Sequence, residues 1–258
     1  MSTPMVLMFH IVLPTPAQAE IAERNLYVSP DLFAAQMEDL AARGFRSMRL
    51  AEFRAHRRGI DDASRRFLLT FDDAYAHVDE IVTPVLRKHS FTAVMFAPMQ
   101  HLGERNVWDS AYPNLSGLDI ASAAQLKRMA EHDWEVASHG LRHVDLTTLN
   151  DADVHAELVE SRKLLSQLLG TTVVDFAYPC GGTSEGVRLA VRAAGYQTGF
   201  LANVSRSRDS LMISRRPIRG DEGMGLFRLK TSAFADTGFW LSRVAPGWAK
   251  GAARRAFA

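Results

Sequence analysis

An α/β fold made of parallel strands is what this sequence predicts, on three observations. Seven short apolar runs rich in β-branched and aromatic residues recur along the 258 residues, and longer segments with helical spacing separate them. No internal repeat, low-complexity tract or linker-like stretch divides the chain, so one domain is expected. Strand followed by helix, repeated, implies right-handed crossovers in either an open doubly wound sheet or a barrel.

The first strand is the run MVLMFHIV from Met5, and His10 marks its end. The first clear helix runs from Pro30 to Arg43: Ser29 is a good N-cap, Pro30 suits the first helical position and Gly44 closes the end. RFLLTF from Arg66 and TAVMFAP from Thr92 give two more strands. The long irregular stretch His101 to Ile120, with Trp108, Pro113 and Gly117, is expected to lie over one mouth of the fold. WEVASH from Trp134 is a strand, and a long helix follows from about Asp151 to Leu169, capped by Asn150 and stopped by Gly170. VVDFAYP from Val173, YQTGFL from Tyr196 and LMISRRPI from Leu211 complete the seven strands.

Composition narrows the function classes. Hydrophobic residues at 47% and charged residues at 23% fit a folded globular protein rather than a disordered one. A net charge of +1 gives no basic excess for nucleic acid, so no nucleic-acid partner is expected. Cys180 is the only cysteine and cannot form an internal disulfide. The opening MSTPMVLMFHIVLP lacks a basic leader and reads as a strand, and no stretch approaches the roughly 20 apolar residues of a spanning helix. A cytoplasmic location without a transmembrane segment is the expectation.

Three polar clusters fall where strands end, the place barrels put their chemistry. Asp72 and Asp73 follow the run RFLLTF, and adjacent carboxylates there can diverge, one towards a metal and one towards a water. Alone, either could simply cap a helix. His139 and His143 stand four apart after WEVAS; on a helical turn both imidazoles would share a face and meet one cation. With a strand-end Asp they make a His-His-Asp set that leaves coordination positions open for water and substrate. Finally, Gly181 and Gly182 after Pro179 and Cys180 allow a tight turn whose backbone N–H could face an oxyanion. Each cluster alone has an ordinary structural explanation.

Together, T-F-D-D, S-H-x-x-x-H and Y-P-x-G, in this order, resemble the polysaccharide deacetylases that share the NodB homology domain, carbohydrate esterase family four. The likeness runs from about Val6 to Arg219, with weaker points at Phe33, Gln36, Gly44-Phe45, Pro84-Val-Leu and Trp108-Asp109. It implies a distorted (β/α) barrel of about seven parallel strands over residues 1–230. Residues 231–258, holding Trp240 and Trp248, form a basic and aromatic tail that packs on the barrel or contacts a membrane surface.

The resemblance also implies roles. Asp73, His139 and His143 would bind one divalent metal, Zn²⁺ first with Co²⁺, Mn²⁺ or Ni²⁺ as alternatives; Asp72 would be the general base; the backbone N–H of Cys180 would help form the oxyanion hole. The reaction would be removal of acetyl groups from an N-acetylated sugar or polysaccharide, soluble or lipid-linked. Three departures stand out. Ala74 replaces a usual Gly, and the Arg that supports the base is missing from its usual segment, leaving Arg215, Arg216 or no Arg. A late histidine is also missing, since the last is His155. The opening strand resembles the circularly permuted poly-N-acetylglucosamine deacetylase branch, in which a first-strand His, here His10, supplies the acid. The gaps also motivate a rival reading, a catalytically impaired metal-containing carbohydrate-binding protein. A non-haem iron oxygenase, which shares the two-His-one-carboxylate set, normally sits in a jelly roll rather than in alternating strands and helices.

Overall fold

A computed structural model describes residues 4–57, 65–202, 205 and 207–232. In chain order the elements are β1 (Met5–Phe9), β2 (Ile11–Val12), α1 (Ile21–Arg24), β3 (Tyr27–Val28), α2 (Pro30–Ala42), β4 (Arg46–Ser47), α3 (Leu50–Arg57) and β5 (Arg66–Phe71). They continue with α4 (His77–His89), β6 (Ala93–Ala97), α5 (Ala123–Ala130), β7 (Trp134–Ser138) and α6 (Asp151–Leu169). The last are β8 (Asp175–Ala177), α7 (Glu185–Ala193), β9 (Thr198–Phe200), β10 (Arg216–Pro217) and α8 (Met224–Lys230).

Seven strands lie side by side in the order β10-β1-β5-β6-β7-β8-β9, all pairings parallel, with β4 added beside β5. Each of the seven corresponds to one run read from the sequence. The segment leading into β10 bridges to β9 through Ile213, which pairs with Phe200, while Arg216 and Pro217 pair with β1. Both free edges of the sheet therefore meet this one segment, and the sheet curls into a distorted barrel.

Two of the runs are shorter or more broken than expected. The first splits at His10: β1 stays in the barrel, while β2 turns away and pairs with β3 in a small separate sheet. The run from Leu211 contributes only Arg216–Pro217 as a ladder, because its earlier residues form turns and a single bridge.

Alternation along each strand sorts side chains into two layers. Val6, Leu68, Val94, Phe96, Ala137, Ala177, Phe200 and Ile213 form one buried cluster together with Met48, Leu50 and Phe53 from the α3 region. This is the barrel interior, and α3 plugs its lower end. Phe53 meets Phe200 at 5.8 Å between ring centroids, and Phe200 meets Phe96 at 5.2 Å. Polar contacts fix the plug to the strand beginnings: the Leu50 N–H donates to Glu135 at 2.7 Å, and Arg54 pairs with Asp175, which also accepts from Thr198.

The other face of the strands, including Phe9, Phe67, Phe71, Met95, Trp134 and Phe176, packs under the helices. The α6 helix is built as its sequence suggests: Asn150 accepts from the Asp153 N–H, Gly170 closes the end in the left-handed conformation, and Val154, Leu158 and Leu165 face inward. No helix among the described residues is long and apolar enough to cross a membrane. The tail, including Trp240 and Trp248, lies outside the described residues from 233 onwards.

Candidate active site

The open mouth of the barrel is where β5, β7 and β8 end. After Phe71 the chain leaves β5, and Asp73 (φ 69°) and Ala74 (φ 57°) both take left-handed backbone conformations. That turn lets adjacent carboxylates diverge. Six non-glycine residues in the described chain have positive φ, and four of them, Asp73, Ala74, His143 and Cys180, are at this mouth. Such conformations cost on the order of 1–3 kcal/mol each and persist where surrounding contacts over-determine them. Ala74 thus occupies, at some strain, a position glycine would fill freely.

Asp72 points into the barrel and is almost fully buried. Arg215 meets it bidentately, Nη1 to Oδ1 and Nη2 to Oδ2, both at 2.6 Å. Arg215 is itself fully buried, donates through Nε to the Leu201 carbonyl and lies over the Phe96 ring. Of the two arginines, Arg215 is the one that pairs with Asp72: two residues after inward-facing Ile213 it also faces inward, whereas Arg216 donates to the Lys230 carbonyl at 2.5 Å. Burial pushes the Asp72 carboxyl up, but the Arg215 and His139 charges outweigh it and hold it below the ordinary range.

Asp73, His139 and His143 come together on the other side, with one ligand atom of each within 4.8 Å of the others. Asp73 Oδ1 lies 3.0 Å from His143 Nε2 and 3.4 Å from His139 Nε2. His139 Nδ1 lies 2.9 Å from the Ala177 carbonyl, which can only accept, so Nδ1 carries a proton and the neutral ring presents its lone pair at Nε2 to the cluster. Asp73 Oδ1 is buried and makes no well-aligned hydrogen bond. Converging electron pairs with an orphaned carboxylate oxygen among them suit a cation, and the nitrogen and oxygen donors suit a divalent transition metal. Burial raises the Asp73 carboxyl, yet His143 and His139 outweigh it and hold it well below the ordinary range. Burial likewise lowers His139, and Asp72 and Asp73 reverse that, leaving it raised.

The two histidines do not share a helical turn, contrary to the sequence reading. They sit on an irregular loop, in which Gly140 (φ 79°) and His143 (φ 57°) take left-handed conformations. The loop, rather than a 3.6-residue period, folds the imidazoles towards each other, with ring centroids 4.9 Å apart.

His10 ends β1 beside this pair, its Nε2 4.0 Å from Asp72 Oδ2. Cys180 stands in a short turn after β8 with φ 57°. The glycines beside it are required by close approach: a Cβ on Gly181 would come within 2.9 Å of the Ala202 side chain, and one on Gly182 within 2.2 Å of Asp145. The Cys180 thiol is pushed up to about 11, by partial burial and by Asp145, Asp73 and Asp109, so it keeps its proton and is no nucleophile at neutral pH.

The His101–Ile120 stretch does reach the mouth. Trp108 stacks on His143, centroids 4.6 Å apart, and His101 lies against its ring. Asn106 donates to both Tyr75 Oη and Asp109 Oδ2 at 2.8 Å, which ties the loop to the turn after Asp73. Neither Trp108 nor Asp109 had a role assigned from sequence; the signals were a Trp in the irregular stretch and the weak family likeness at Trp108-Asp109.

Residues 60–199, more than half of the chain, match the family described as polysaccharide deacetylase. YxkH of Bacillus subtilis, itself named for that activity, is 27% identical over 158 residues, which are 61% of this chain and 52% of YxkH. The chain thus matches about half the length of that relative. Among solved structures, the Streptococcus pyogenes deacetylase PplD in complex with acetate superposes with a TM-score of 0.72 at 22% identity, covering 84% of this chain and 93% of PplD. IcaB from Ammonifex degensii gives 0.71 at 23% identity, covering 85% and 93%. At these identities the superpositions establish the shared fold.

Proposed function

This chain belongs to the polysaccharide deacetylase family, and from that membership we propose that it hydrolyses the acetamide of an N-acetylated sugar or polysaccharide with the help of one divalent metal ion. The observation that carries the proposal is the division of labour between neighbouring carboxylates: Asp72 is fully engaged by Arg215, while Asp73 presents an unpartnered oxygen to two imidazoles.

Asp73, His139 and His143 would hold the metal, which when bound supplies Lewis acidity and lowers the pKa of a coordinated water towards about 7. Zn²⁺ fits two imidazoles and a carboxylate, and Co²⁺, Mn²⁺ or Ni²⁺ would fit the same donors. Asp72 accepts the proton of the attacking water. Arg215 keeps that carboxylate ionised and fixes its plane, the geometry a bidentate guanidinium imposes. The Cys180 N–H, on its left-handed turn, donates to the oxyanion that develops on the acetyl oxygen. His10 gives a proton to the nitrogen as the carbon–nitrogen bond breaks, and acetate and a free amine leave. A binding-only protein would not need Asp72 and Arg215 paired inside the barrel, and Arg215 fills one of the gaps that motivated that reading.

The direct test is acetate release from a panel of N-acetylated oligosaccharides, with O-acetylated sugars as controls, before and after chelation. Metal-dependent release from N-acetylated members is expected. Tight sugar binding without release would favour the binding-only reading.

A further inference from the structure

The loop that carries both imidazoles is clamped from behind by one helix, and the clamp centres on a residue that the chemistry above does not use. Glu157 lies on the inward face of α6 and is fully buried. Its Oε2 accepts from the Leu141 N–H at 2.9 Å and the Arg142 N–H at 3.1 Å, and its Oε1 accepts from Arg142 Nε at 2.5 Å. These donors lie between His139 and His143.

The rest of the loop is held as completely. The Gly140 N–H donates to Ser138 Oγ at 3.3 Å, and that hydroxyl accepts from Tyr196 Oη at 2.8 Å. The carbonyls of Gly140 and Leu141 accept from the Met99 and Gln100 N–H groups at 3.1 and 2.8 Å. A Cβ on Gly140 would come within 3.3 Å of Pro179 and 3.4 Å of Glu157 Oε2, so the backbone lies pressed between them. Without the carboxylate, the part-buried amides of Leu141 and Arg142 would lose their acceptor, while the exposed Arg142 guanidinium would turn to water; an unpaired buried donor costs about 1–3 kcal/mol. The loop would relax, and His143, held at φ 57°, would be the residue freed to move.

We infer that Glu157 is the positioning residue of the metal centre: acting through the backbone amides of Leu141 and Arg142, it fixes the spacing of His139 and His143 and so sets the affinity for the ion. This rests on the proposed metal site. It differs from a ligand role, because the hydrogen bonds of the Glu157 carboxylate go to Leu141 and Arg142, and the group of converging donor atoms is Asp73, His139 and His143.

The test is titration of the apo protein with Co²⁺ in competition with a chromophoric chelator, following the visible absorption of the bound ion, for wild type, Glu157→Leu and Glu157→Gln. Thermal unfolding of each apo variant shows whether it is folded at the titration temperature. Glu157→Leu should bind Co²⁺ about 10- to 100-fold more weakly, the range for residues that orient ligands, with an altered spectrum. Glu157→Gln should lose less, since its amide oxygen can still accept from both backbone amides. A folded Glu157→Leu with wild-type affinity and spectrum would overturn the inference; should Glu157→Leu not fold, wild-type affinity and spectrum in Glu157→Gln would overturn it equally. If wild type itself bound no Co²⁺, the proposed metal centre would fall first, an outcome distinct from loss of this inference alone.

Discussion

The two ends of the barrel interior are built from the same strands by opposite means. At the lower end Leu68, Val94, Phe53 and Phe200 touch one another without a polar atom among their side chains. At the mouth the same inward positions continue as Thr70 on β5, Asp72 just beyond it and Arg215 after Ile213, and each of these is held by a particular partner. The apolar end tolerates exchange of one hydrocarbon for another of similar volume at modest cost. The mouth does not, because removing one member of a buried pair leaves the other charged and unpaired. The lower end contributes stability alone, whereas the mouth contributes stability and carries the proposed chemistry, and substitutions should separate the two.

The largest effect is expected where the two regions meet. Arg215→Met should cost about 3–5 kcal/mol of stability by leaving Asp72 unpaired, measured by chemical denaturation. It should also lower acetate release by about a hundredfold or more, because an uncompensated Asp72 takes up a proton and ceases to be a base. The sign is defined: Arg215 depresses the Asp72 pKa, so its loss raises that pKa and moves the acidic limb of the activity profile to higher pH. An unmoved limb would break the link between the pair and catalysis.

His10→Ala probes the mouth alone. Amide hydrolysis should fall by about a hundredfold to ten-thousandfold, the usual contribution of a general acid, with metal content and folding unchanged. A nitrophenyl acetate, whose leaving group needs no proton, should be hydrolysed with much less loss. Equal losses on both would make His10 a structural residue. Phe200→Ala probes the lower end alone. It should cost about 3–5 kcal/mol of stability, while acetate release per folded molecule stays near wild type.

The smallest effect concerns His77, at the start of α4, which stacks near Tyr75 and has a buried, unpartnered Nε2. Burial lowers its pKa from 6.5 to about 4. The unfolded chain therefore binds the proton first as pH falls, so the stability is complete above about pH 6.5 and is lost progressively towards pH 4. About 3 kcal/mol should disappear over that window. His77→Phe, which keeps a flat ring beside Tyr75, should flatten the decline in an acid titration of unfolding. An unchanged decline would assign acid sensitivity to other groups.

How much of this was legible in the sequence follows the same division. Strands are announced by hydrocarbon, so all seven barrel runs could be read, and the caps at Ser29 and Asn150 fixed two helices to within a residue. Asp73, His139 and His143, the proposed ligands, were readable as residue types at strand ends. Their geometry was not, because left-handed φ at Asp73 and His143 leaves no trace in residue type, and the only hint in the loop was Gly140. Arg215 and Arg216 are chemically identical neighbours; only the parity set by Ile213 tells which one enters the barrel. Glu157 was missed since a glutamate on an amphipathic helix ordinarily faces water. Its spacing from Val154, Leu158, Ser161 and Leu165 places it on the buried face, and that periodicity is the signal that could have found it.

On the proposed mechanism the adjacent carboxylates divide the work, Asp72 taking the water's proton and Asp73 holding the metal. The most direct measurement is the metal content of purified Asp72→Asn and Asp73→Asn alongside acetate release from an N-acetylated oligosaccharide. Asp72→Asn should retain about one metal per chain and release no acetate, and Asp73→Asn should lose both, since it removes one of three protein ligands. Equal metal loss in the two variants, or acetate release by Asp72→Asn at the wild-type rate, would contradict the account.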